Sequence, residues 1–484
     1  MRLPLGLALI GVAFVIAAAR MISAVPPFEN PDELPHLAYV LHLAQDGALP
    51  VVSRGSPVPF DQEGYQPPLY YAFAAVVARL IGAEGPLLRP PQDRVFRFAP
   101  VVAGTGPHRL FLPITPYSPP PLRNLARSCI RLRWVALAWA LGAGAATAAL
   151  AWRLSHRDGP LTLLAVALFL LNPRWVESAA SVSNDTAATC LVTVALVLAV
   201  RLLTSASRPT PSGAALLGLA CAAAALTKTS GFPLAAVAGA VLVARLWRDR
   251  PALGYAAATL VAFAAAVLLP VVPWLVRNAR LYGDPFVLDP ELWRPFVAVR
   301  RSPLGLFDFL AHEFEGFRWS YWAVFGQFAV LAPSWAYGTL DVLLLVAAPA
   351  GLVFTARAAR RRDLPHAAAL AVLPLAWITL LFAAFVRYNR WIMASQGRLI
   401  YPAAACIAVV LAGGLLLLVP RCLRWGAALV GASLAGGGGA GDRLGAATCR
   451  VWSLVSPLQR SESGPLVISR LCPRSTSGGV GACR

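Results

Sequence analysis

The sequence predicts an all-α polytopic membrane protein with about ten transmembrane helices. Of its 484 residues, 58% are hydrophobic and only 13% are charged, and the mean hydropathy is +0.64. A soluble chain of this size needs more polar surface than this composition supplies. In addition, apolar runs recur along the chain, most of them near the roughly 20 residues that a helix needs to cross a bilayer. These observations exclude a soluble globular domain.

The first apolar run, Leu3–Ala19, follows Arg2 and is interpreted as a membrane anchor. A cleaved signal peptide ending near Ser23 and Ala24 is the alternative. Several of the later runs are short for a span, which is typical either of helices that end at a cavity or of helices in a protein core. These later runs occupy about residues 134–152, 159–173, 186–203, 213–227, 231–246, 254–276, 339–356, 366–386 and 399–419.

Two long polar segments, residues 20–133 and 277–338, separate groups of apolar runs. In the first segment, apolar residues at helical spacing predict amphipathic helices over 34–48 and 68–81. Residues 85–121 are rich in Pro and Arg and lack periodicity, so we expect them to be irregular.

An aromatic run stands out in the second long segment, between Phe317 and Gly326. Its density of Trp and Tyr is typical of a helix that lies at the depth of the lipid headgroups. Direct contact with a substrate is the alternative interpretation.

Basic residues define the predicted orientation. The formal net charge is +20, and Lys228 is the only lysine among 42 basic residues. No basic stretch is interleaved with aromatic residues, so we expect no nucleic-acid partner. One set of short gaps is rich in arginine, which the positive-inside rule assigns to the cytoplasm. These arginines are Arg153, Arg157, Arg201, Arg208, Arg245, Arg248, Arg250, Arg357, Arg360, Arg361, Arg362, Arg421 and Arg424.

The orientation that follows is a multi-pass protein of the cell inner membrane with a cytoplasmic N-terminus. Both long loops, 20–133 and 277–338, then lie on the extracytoplasmic side. All the polar motifs described below fall on that same face. We expect membrane lipids to be partners of such a chain.

The predicted domain organisation is one transmembrane domain over residues 1–435, followed by a tail over 436–484. The tail is rich in Gly, Ser, Arg and Cys without apolar periodicity. It is predicted to be disordered, and a frame-shifted reading of a GC-rich gene would have a similar composition. Residues 423–435 are a candidate remnant of an eleventh span. Most of the eight cysteines lie in or beside apolar runs or in the tail, so we expect no structural disulfide and no Cys-ligated metal.

Two adjacent carboxylates, Asp32 and Glu33, follow the first apolar run and are the candidate catalytic residues. Prolines on both sides restrict the backbone, so the two acids are held at the membrane surface. The alternative is that Asp32 or Asn30 caps a helix whose macrodipole Glu33 complements. His36 is a candidate helper, or a histidine with a purely structural hydrogen bond.

Further motifs contain candidate binding residues, each with a structural alternative. Asn184 and Asp185 line a cavity or cap the next helix. Tyr70 and Tyr71 stack on a sugar or lipid, or pack against the membrane. Lys228 snorkels to the interface or, together with Arg398, binds a phosphate.

Taken in order, these motifs resemble those of the GT-C superfamily of membrane glycosyltransferases. The closest likeness is to bacterial membrane proteins related to protein mannosyltransferases and lipid-A sugar transferases, and it covers about residues 1–420. The motifs are Pro31-Asp-Glu33, Gln66-Pro-Pro-Leu-Tyr-Tyr71, Ser183-Asn-Asp185, Leu226-Thr-Lys228, Arg277-Asn278 with Tyr282-Gly-Asp-Pro285, and Gln396-Gly-Arg398 with Tyr401-Pro402.

The resemblance implies transfer of a sugar from a polyprenyl-phosphate-linked donor to a lipid, glycan or protein acceptor at the outer membrane face. Asp32 is then the catalytic acid, with Glu33 beside it. The two acids are also the ligands of a divalent cation, if one is used. Gln66 and Arg277 belong to the motifs and are expected to bind substrate. The alternatives from other classes are a secondary transporter and a non-catalytic membrane protein.

Overall fold

The structure is a computed structural model, and it describes residues 2–52, 58–88, 116–297, 299–326, 328, 330–360 and 364–437. These residues are mostly helical, and their only sheet is a two-stranded antiparallel hairpin. The predicted all-α class is therefore confirmed. The tail predicted over 436–484 lies almost wholly outside the described residues, as does most of the segment 85–121.

Ten helices lie among the described residues up to Tyr282, and from α4 onward the connections between them are short. Their bounds are α1 Arg2–Ala24, α2 Glu33–Asp46, α3 Leu69–Leu80, α4 Pro120–Leu154, α5 Gly159–Leu170, α6 Pro173–Ser178, α7 Asp185–Thr204, α8 Pro211–Ala225, α9 Pro233–Asp249 and α10 Leu253–Tyr282. Two 3-10 turns, Asp61–Tyr65 and Thr229–Gly231, lie between them.

The second half contains short elements and then four longer helices. The short elements are α11 Pro290–Trp293, α12 Leu306–His312, α13 Phe314–Trp322, β1 Val324–Phe325 and β2 Val330–Leu331. The longer helices are α14 Ser334–Ala359, α15 Leu364–Trp391, α16 Ala404–Leu417 and α17 Arg424–Gly437. The 3-10 turns Gly397–Ala403 and Arg421–Leu423 precede α16 and α17.

Eight helices of the described residues are long and apolar enough to cross a membrane. They coincide with eight of the predicted runs. The other two runs, 159–173 and 213–227, form the shorter helices α5, with 12 residues, and α8, with 15 residues. At a rise of 1.5 Å per residue, α5 extends only about 18 Å, which is well below the thickness of the hydrocarbon core. The predicted remnant 423–435 is the 14-residue helix α17.

The helix α4 begins inside the segment that the sequence predicted to be loop. It starts at Pro120, and its first turns carry Arg123, Arg127 and Arg131 at a spacing of four residues. These charges depress the hydropathy of the segment, but they occupy one face of a continuous helix whose other face is buried. The helix α4 therefore begins at Pro120, inside the predicted loop segment 20–133.

The predicted amphipathic helices of the first loop are present as α2 and α3. They pack on each other and on the beginning of α4 in an apolar cluster that is separate from the main bundle core. Within this cluster the rings of Tyr39 and Tyr71 stack with centroids 3.8 Å apart. The backbone N–H of Leu69 donates to the carbonyl of Leu226, 2.8 Å away, at the end of α8. The first loop is thereby fixed against the helix bundle.

The aromatic run of the second loop forms α13, which packs one face against the protein. Phe317, Tyr321 and Trp322 are buried. The helix contacts the 3-10 turn that precedes α16, and there a Cβ atom on Gly397 would lie 2.3 Å from the backbone of Tyr321. Only glycine permits that approach. The buried face of α13 therefore supports the turn that carries Arg398, and its place at headgroup depth stays a prediction.

Candidate active site

Asp32 lies in the connection between α1 and α2, at the N-cap position of α2. Its backbone has φ 57°, a left-handed conformation that few residues other than glycine adopt, and its side chain makes no capping hydrogen bond. The capping alternative for this side chain is therefore excluded. Instead, its carboxylate accepts from Gln62 Nε2 at 3.2 Å and pairs with Nη2 of Arg398.

Glu33 points away from Asp32 and is fully enclosed. Its two oxygens accept from Nε and Nη2 of Arg133, at 2.8 and 2.7 Å, in a bidentate ion pair. The backbone N–H groups of Phe28 and Val182 also donate to it, and so does Asn30 Nδ2. A carboxylate with five donors and no exposed surface has no lone pair left for a substrate. The prediction that Glu33 acts beside Asp32 is corrected, and Glu33 joins α1, α2 and α4.

Asp185 and Lys228 form the second part of the site. Asp185 is the first residue of α7, and its carboxylate pairs with Nζ of Lys228, which precedes the 3-10 turn 229–231. Asn184 Nδ2 donates to the carbonyl of Thr227 at 3.0 Å, so it ties the two segments together. Its side chain makes no capping bond. Lys228 is buried, and it does not snorkel outward.

Arg398 joins the two parts. Its guanidinium contacts the carboxylate of Asp32 with Nη2 and that of Asp185 with Nη1, the latter at 3.3 Å. Its Nε donates to Gln396 Oε1 at 2.6 Å, which orients the fork. Asp32 and Arg398 are 366 residues apart in the sequence. The structure therefore brings four predicted site residues together in one buried cluster of two carboxylates and two cationic side chains.

A second layer of groups lies behind Asp32. Gln62 Nε2 donates to Asp32 Oδ1 and, at 3.3 Å, to Glu63 Oε1. The hydroxyl of Tyr71 lies 2.8 Å from His36 Nδ1 and 3.4 Å from Glu63 Oε2. Burial raises the pKa of Glu63 to about 8, and the nearby charge of Asp32 adds to this shift. Burial also lowers the pKa of His36 to about 3, so the imidazole is neutral.

The other predicted binding residues lie outside this cluster. Arg277 donates to the carbonyl of Pro50 at 2.7 Å, and its guanidinium carbon lies 5.0 Å from the centre of the Trp274 ring. It therefore anchors the first loop, and its role in substrate binding stays a prediction. Gln66 and Tyr70 are buried within the first loop, and Tyr70 packs edge-on against Tyr71 at 5.3 Å.

A small cavity lined mostly by polar side chains adjoins Arg398 and Asp185. Arg174 and Glu177 line it as a buried ion pair. Glu177 also accepts from the backbone N–H of Gly326 at 2.6 Å, which attaches the hairpin to α6. Sequence reasoning missed this pair, together with Gln62 and Glu63. The available signal was a pair of charges just after an apolar run, since buried charges in such a position need a partner or a function.

The divalent cation that the sequence left open does not fit the predicted ligands. Asp32 is held by Arg398 and Gln62, whereas Glu33 is held by Arg133, so the two carboxylates do not converge on one point. In the part of the chain that the structure describes, no group of three His, Cys, Asp or Glu side chains is placed to hold a metal ion.

Fold and site together define a class: a polytopic helical membrane protein with a buried acid–base cluster at one end of its bundle. Asp32 follows the C-terminal end of α1, whereas Asp185, Lys228 and Arg398 each lie at the N-terminal end of a candidate span. Helix ends that meet in this way share one membrane face.

Comparison with known proteins agrees with this class. A family profile described as dolichyl-phosphate-mannose-protein mannosyltransferase matches residues 125–283. Crystal structures of ArnT from Cupriavidus metallidurans match with TM-scores of 0.51 in the apo state and 0.50 when bound to undecaprenyl phosphate, each at 15% sequence identity over 95% of this chain. The archaeal oligosaccharyltransferase AglB from Archaeoglobus fulgidus matches with a TM-score of 0.46 at 14% identity, over 90% of this chain and 55% of its own.

The chain has the fold of the GT-C superfamily of membrane glycosyltransferases, which confirms the resemblance inferred from the motifs. It spans 66% and 65% of the length of the two ArnT chains. No curated protein matches it in sequence.

Proposed function

We propose that this protein transfers a sugar from a polyprenyl-phosphate-linked donor to a lipid, glycan or protein acceptor at the outer face of the cytoplasmic membrane. The observation that carries the proposal is the cluster in which Arg398 contacts both Asp32 and Asp185 while Lys228 contacts Asp185. The reaction needs one base for the acceptor and cations for the departing phosphate. The cluster contains both.

Asp32 is the proposed general base. Of the two carboxylates in the cluster it is the more exposed, with 13% of its side chain accessible against 3% for Asp185. In the proposed step it takes the proton of the acceptor hydroxyl as the acceptor oxygen bonds to the anomeric carbon. The bond between that carbon and the phosphate oxygen breaks, and the phosphate leaves with the electron pair.

Arg398 and Lys228 are the proposed phosphate ligands. A guanidinium fork matches two phosphate oxygens, and an ammonium group adds a compact charge. In the structure both cations are engaged by acids, so a bound phosphate would compete with Asp32 for Arg398. Release of Asp32 from its ion pair would make the carboxylate available to the acceptor. Donor binding and activation of the base are thereby linked in this proposal.

The outer membrane face is part of the proposal. Its support is the arginine bias of the opposite gaps, which places the N-terminus in the cytoplasm. A cysteine introduced at Leu288, an exposed residue of the second loop, tests this. In intact cells of a variant without its native cysteines, it should react with a membrane-impermeant maleimide. Reaction only after the membrane is permeabilised would reverse the orientation.

The proposed activity is tested with membranes that contain the full chain and a panel of polyprenyl-phosphate donors, each with a radiolabelled sugar. A transferase converts label into a product that no longer contains the lipid phosphate. Membranes without the protein are the background control. Label that crosses the membrane on an unchanged donor would indicate a transporter, and an absence of product with every donor and acceptor would refute the proposal.

A further inference from the structure

The turn Asp61–Tyr65 contributes a carboxyl group that the proposed reaction does not use directly. Gln62 and Glu63 are adjacent in this turn, and both are buried. The single amide nitrogen of Gln62 donates to Asp32 Oδ1 at 3.2 Å and to Glu63 Oε1 at 3.3 Å. One NH₂ group, which has two hydrogens, thus bridges the base and a second carboxyl group.

The far oxygen of Glu63 faces neutral partners. Its Oε2 lies 3.4 Å from the hydroxyl of Tyr71 and 3.5 Å from Nδ1 of His36. The pKa of Glu63 is raised to about 8, and that of His36 is lowered to about 3. The raised pKa of Glu63 favours a protonated carboxyl group at neutral pH, and the lowered pKa of His36 favours a neutral imidazole. Oε1 can then accept from Gln62 while the protonated Oε2 donates to Tyr71 or His36, which satisfies both atoms.

The charges of the cluster also require a neutral Glu63. Asp32 and Asp185 carry two negative charges, and Lys228 and Arg398 carry two positive ones. A third carboxylate would leave the buried cluster with a net negative charge, which is costly away from water. The titratable and charged groups that face Glu63 from the surrounding elements are Asp32, His36, Tyr71, Asp185, Lys228, Arg398 and Tyr388.

We propose that Glu63 is a positioning residue that acts in its protonated form: through Gln62 it orients the Asp32 carboxylate, and by remaining neutral it leaves Arg398 and Lys228 available for the donor phosphate. This inference rests on the proposed transfer activity. It predicts that ionisation of Glu63 disables the site while the protonation state of Asp32 stays the same. The alkaline limit of the enzyme is therefore set by Glu63.

The test compares Glu63→Gln with the wild type in the donor assay across neutral and alkaline pH. Glutamine reproduces the neutral acid, because its oxygen accepts and its NH₂ donates, and it does not ionise. The wild-type rate should fall about tenfold for each pH unit above about 8, as expected for a single essential proton. The Gln variant should keep a flat alkaline profile. Glu63→Leu, which lacks both contacts, should lose about 10- to 100-fold more rate than Glu63→Gln.

A second measurement does not depend on turnover. Infrared difference spectra of the full chain in nanodiscs, recorded during a pH titration, report the carbonyl stretch of a protonated carboxylic acid. A band should disappear near pH 8 in the wild type and be missing in Glu63→Gln. Glu315→Gln, which removes a half-exposed carboxylate of α13, is the matched control and should leave the band unchanged.

The outcomes separate the two proposals. If no donor is used but the band titrates, the transferase function fails while the protonated state of Glu63 stands. If sugar is transferred and Glu63→Gln loses rate above pH 8 as the wild type does, the role of Glu63 is refuted. The same holds if no band belongs to Glu63, or if Glu63→Leu is as active as Glu63→Gln.

Discussion

Asp32 and Glu33 are neighbours in the chain, yet they have opposite surroundings. Each carboxylate pairs with one arginine, Asp32 with Arg398 and Glu33 with Arg133. Glu33 accepts from five donors and has no exposed surface, whereas Asp32 shares its arginine with Asp185 and remains partly exposed. Complete enclosure, and not mere pairing with a cation, therefore distinguishes Glu33 from the proposed base Asp32.

Substitution of Asp32 should have the largest effect. Asp32→Asn keeps the size of the side chain and its contact with Gln62, but it removes the base, so we expect transfer to fall by about 10²- to 10⁴-fold. Thermal unfolding in detergent should stay near that of the wild type. Asp46→Asn, an exposed change at the end of α2, is the control in the same assay. Normal turnover by Asp32→Asn would assign Asp32 to structure.

Substitution of Glu33 should lower the stability of the protein and not its activity. Glu33→Gln leaves the buried guanidinium of Arg133 without a counter-charge, which costs about 3–5 kcal/mol. The variant should show low abundance in the membrane and a lowered melting temperature. The fraction that folds should retain its turnover per molecule. A stable Glu33→Gln protein without activity would place Glu33 in the reaction and remove the contrast with Asp32.

The cations that face the two acids of the cluster should give a smaller effect on catalysis. Lys228→Ala and Arg398→Ala should each lower catalytic efficiency by about 10- to 1000-fold, chiefly through weaker use of the donor, and Lys228→Arg should be partly active. Arg277→Ala removes a cation outside the cluster and should have a much weaker effect. Equal losses at Lys228 and Arg277 would mean that the position in the cluster is not what matters.

Within the described residues, Glu63 forms no ion pair with an arginine or lysine, and its ionisation should make the stability of the protein depend on pH. Between about pH 4.5 and 8 the folded protein keeps a proton on Glu63 that the unfolded chain has released, so stability falls as the pH rises through this window. His36, whose pKa is lowered to about 3, makes stability rise between about pH 3 and 6.5 and contributes no slope above that range.

Melting temperatures between pH 6.5 and 8 isolate the effect of Glu63. The free energy of unfolding of the wild type, derived from these temperatures, should fall by at most about 1.4 kcal/mol for each pH unit. That of Glu63→Gln should fall by less. Identical slopes for the two proteins would contradict the protonated state of Glu63.

Much of the architecture could be predicted because hydropathy acts locally. Eight of the ten apolar runs coincide with the candidate spans, and the amphipathic spacing of 34–48 and 68–81 is present in α2 and α3. The start of α4 was missed because Arg123, Arg127 and Arg131 lower the hydropathy of a segment that is helical nonetheless. For the aromatic helix α13, composition alone did not predict that one face packs against the turn that carries Arg398.

The motifs also identified four members of the site, Asp32, Asp185, Lys228 and Arg398, since charged residues at the ends of apolar runs are costly unless they are used. Their roles as base and phosphate ligands stay predictions. Glu63 and Gln62 escaped notice because their importance depends on contact with Asp32, which lies 30 residues away in the chain.

Local chemistry decided the helices, the membrane class and which residues carry charge, because these depend on the composition of one segment at a time. The tertiary structure alone decided which charges meet. Two adjacent side chains on α2 and its N-cap point in different directions, so one is enclosed by α1, α4 and the segment at Val182, while the other reaches Arg398. Burial and the number of donors set the state of each carboxyl group, and both are properties of the packed chain.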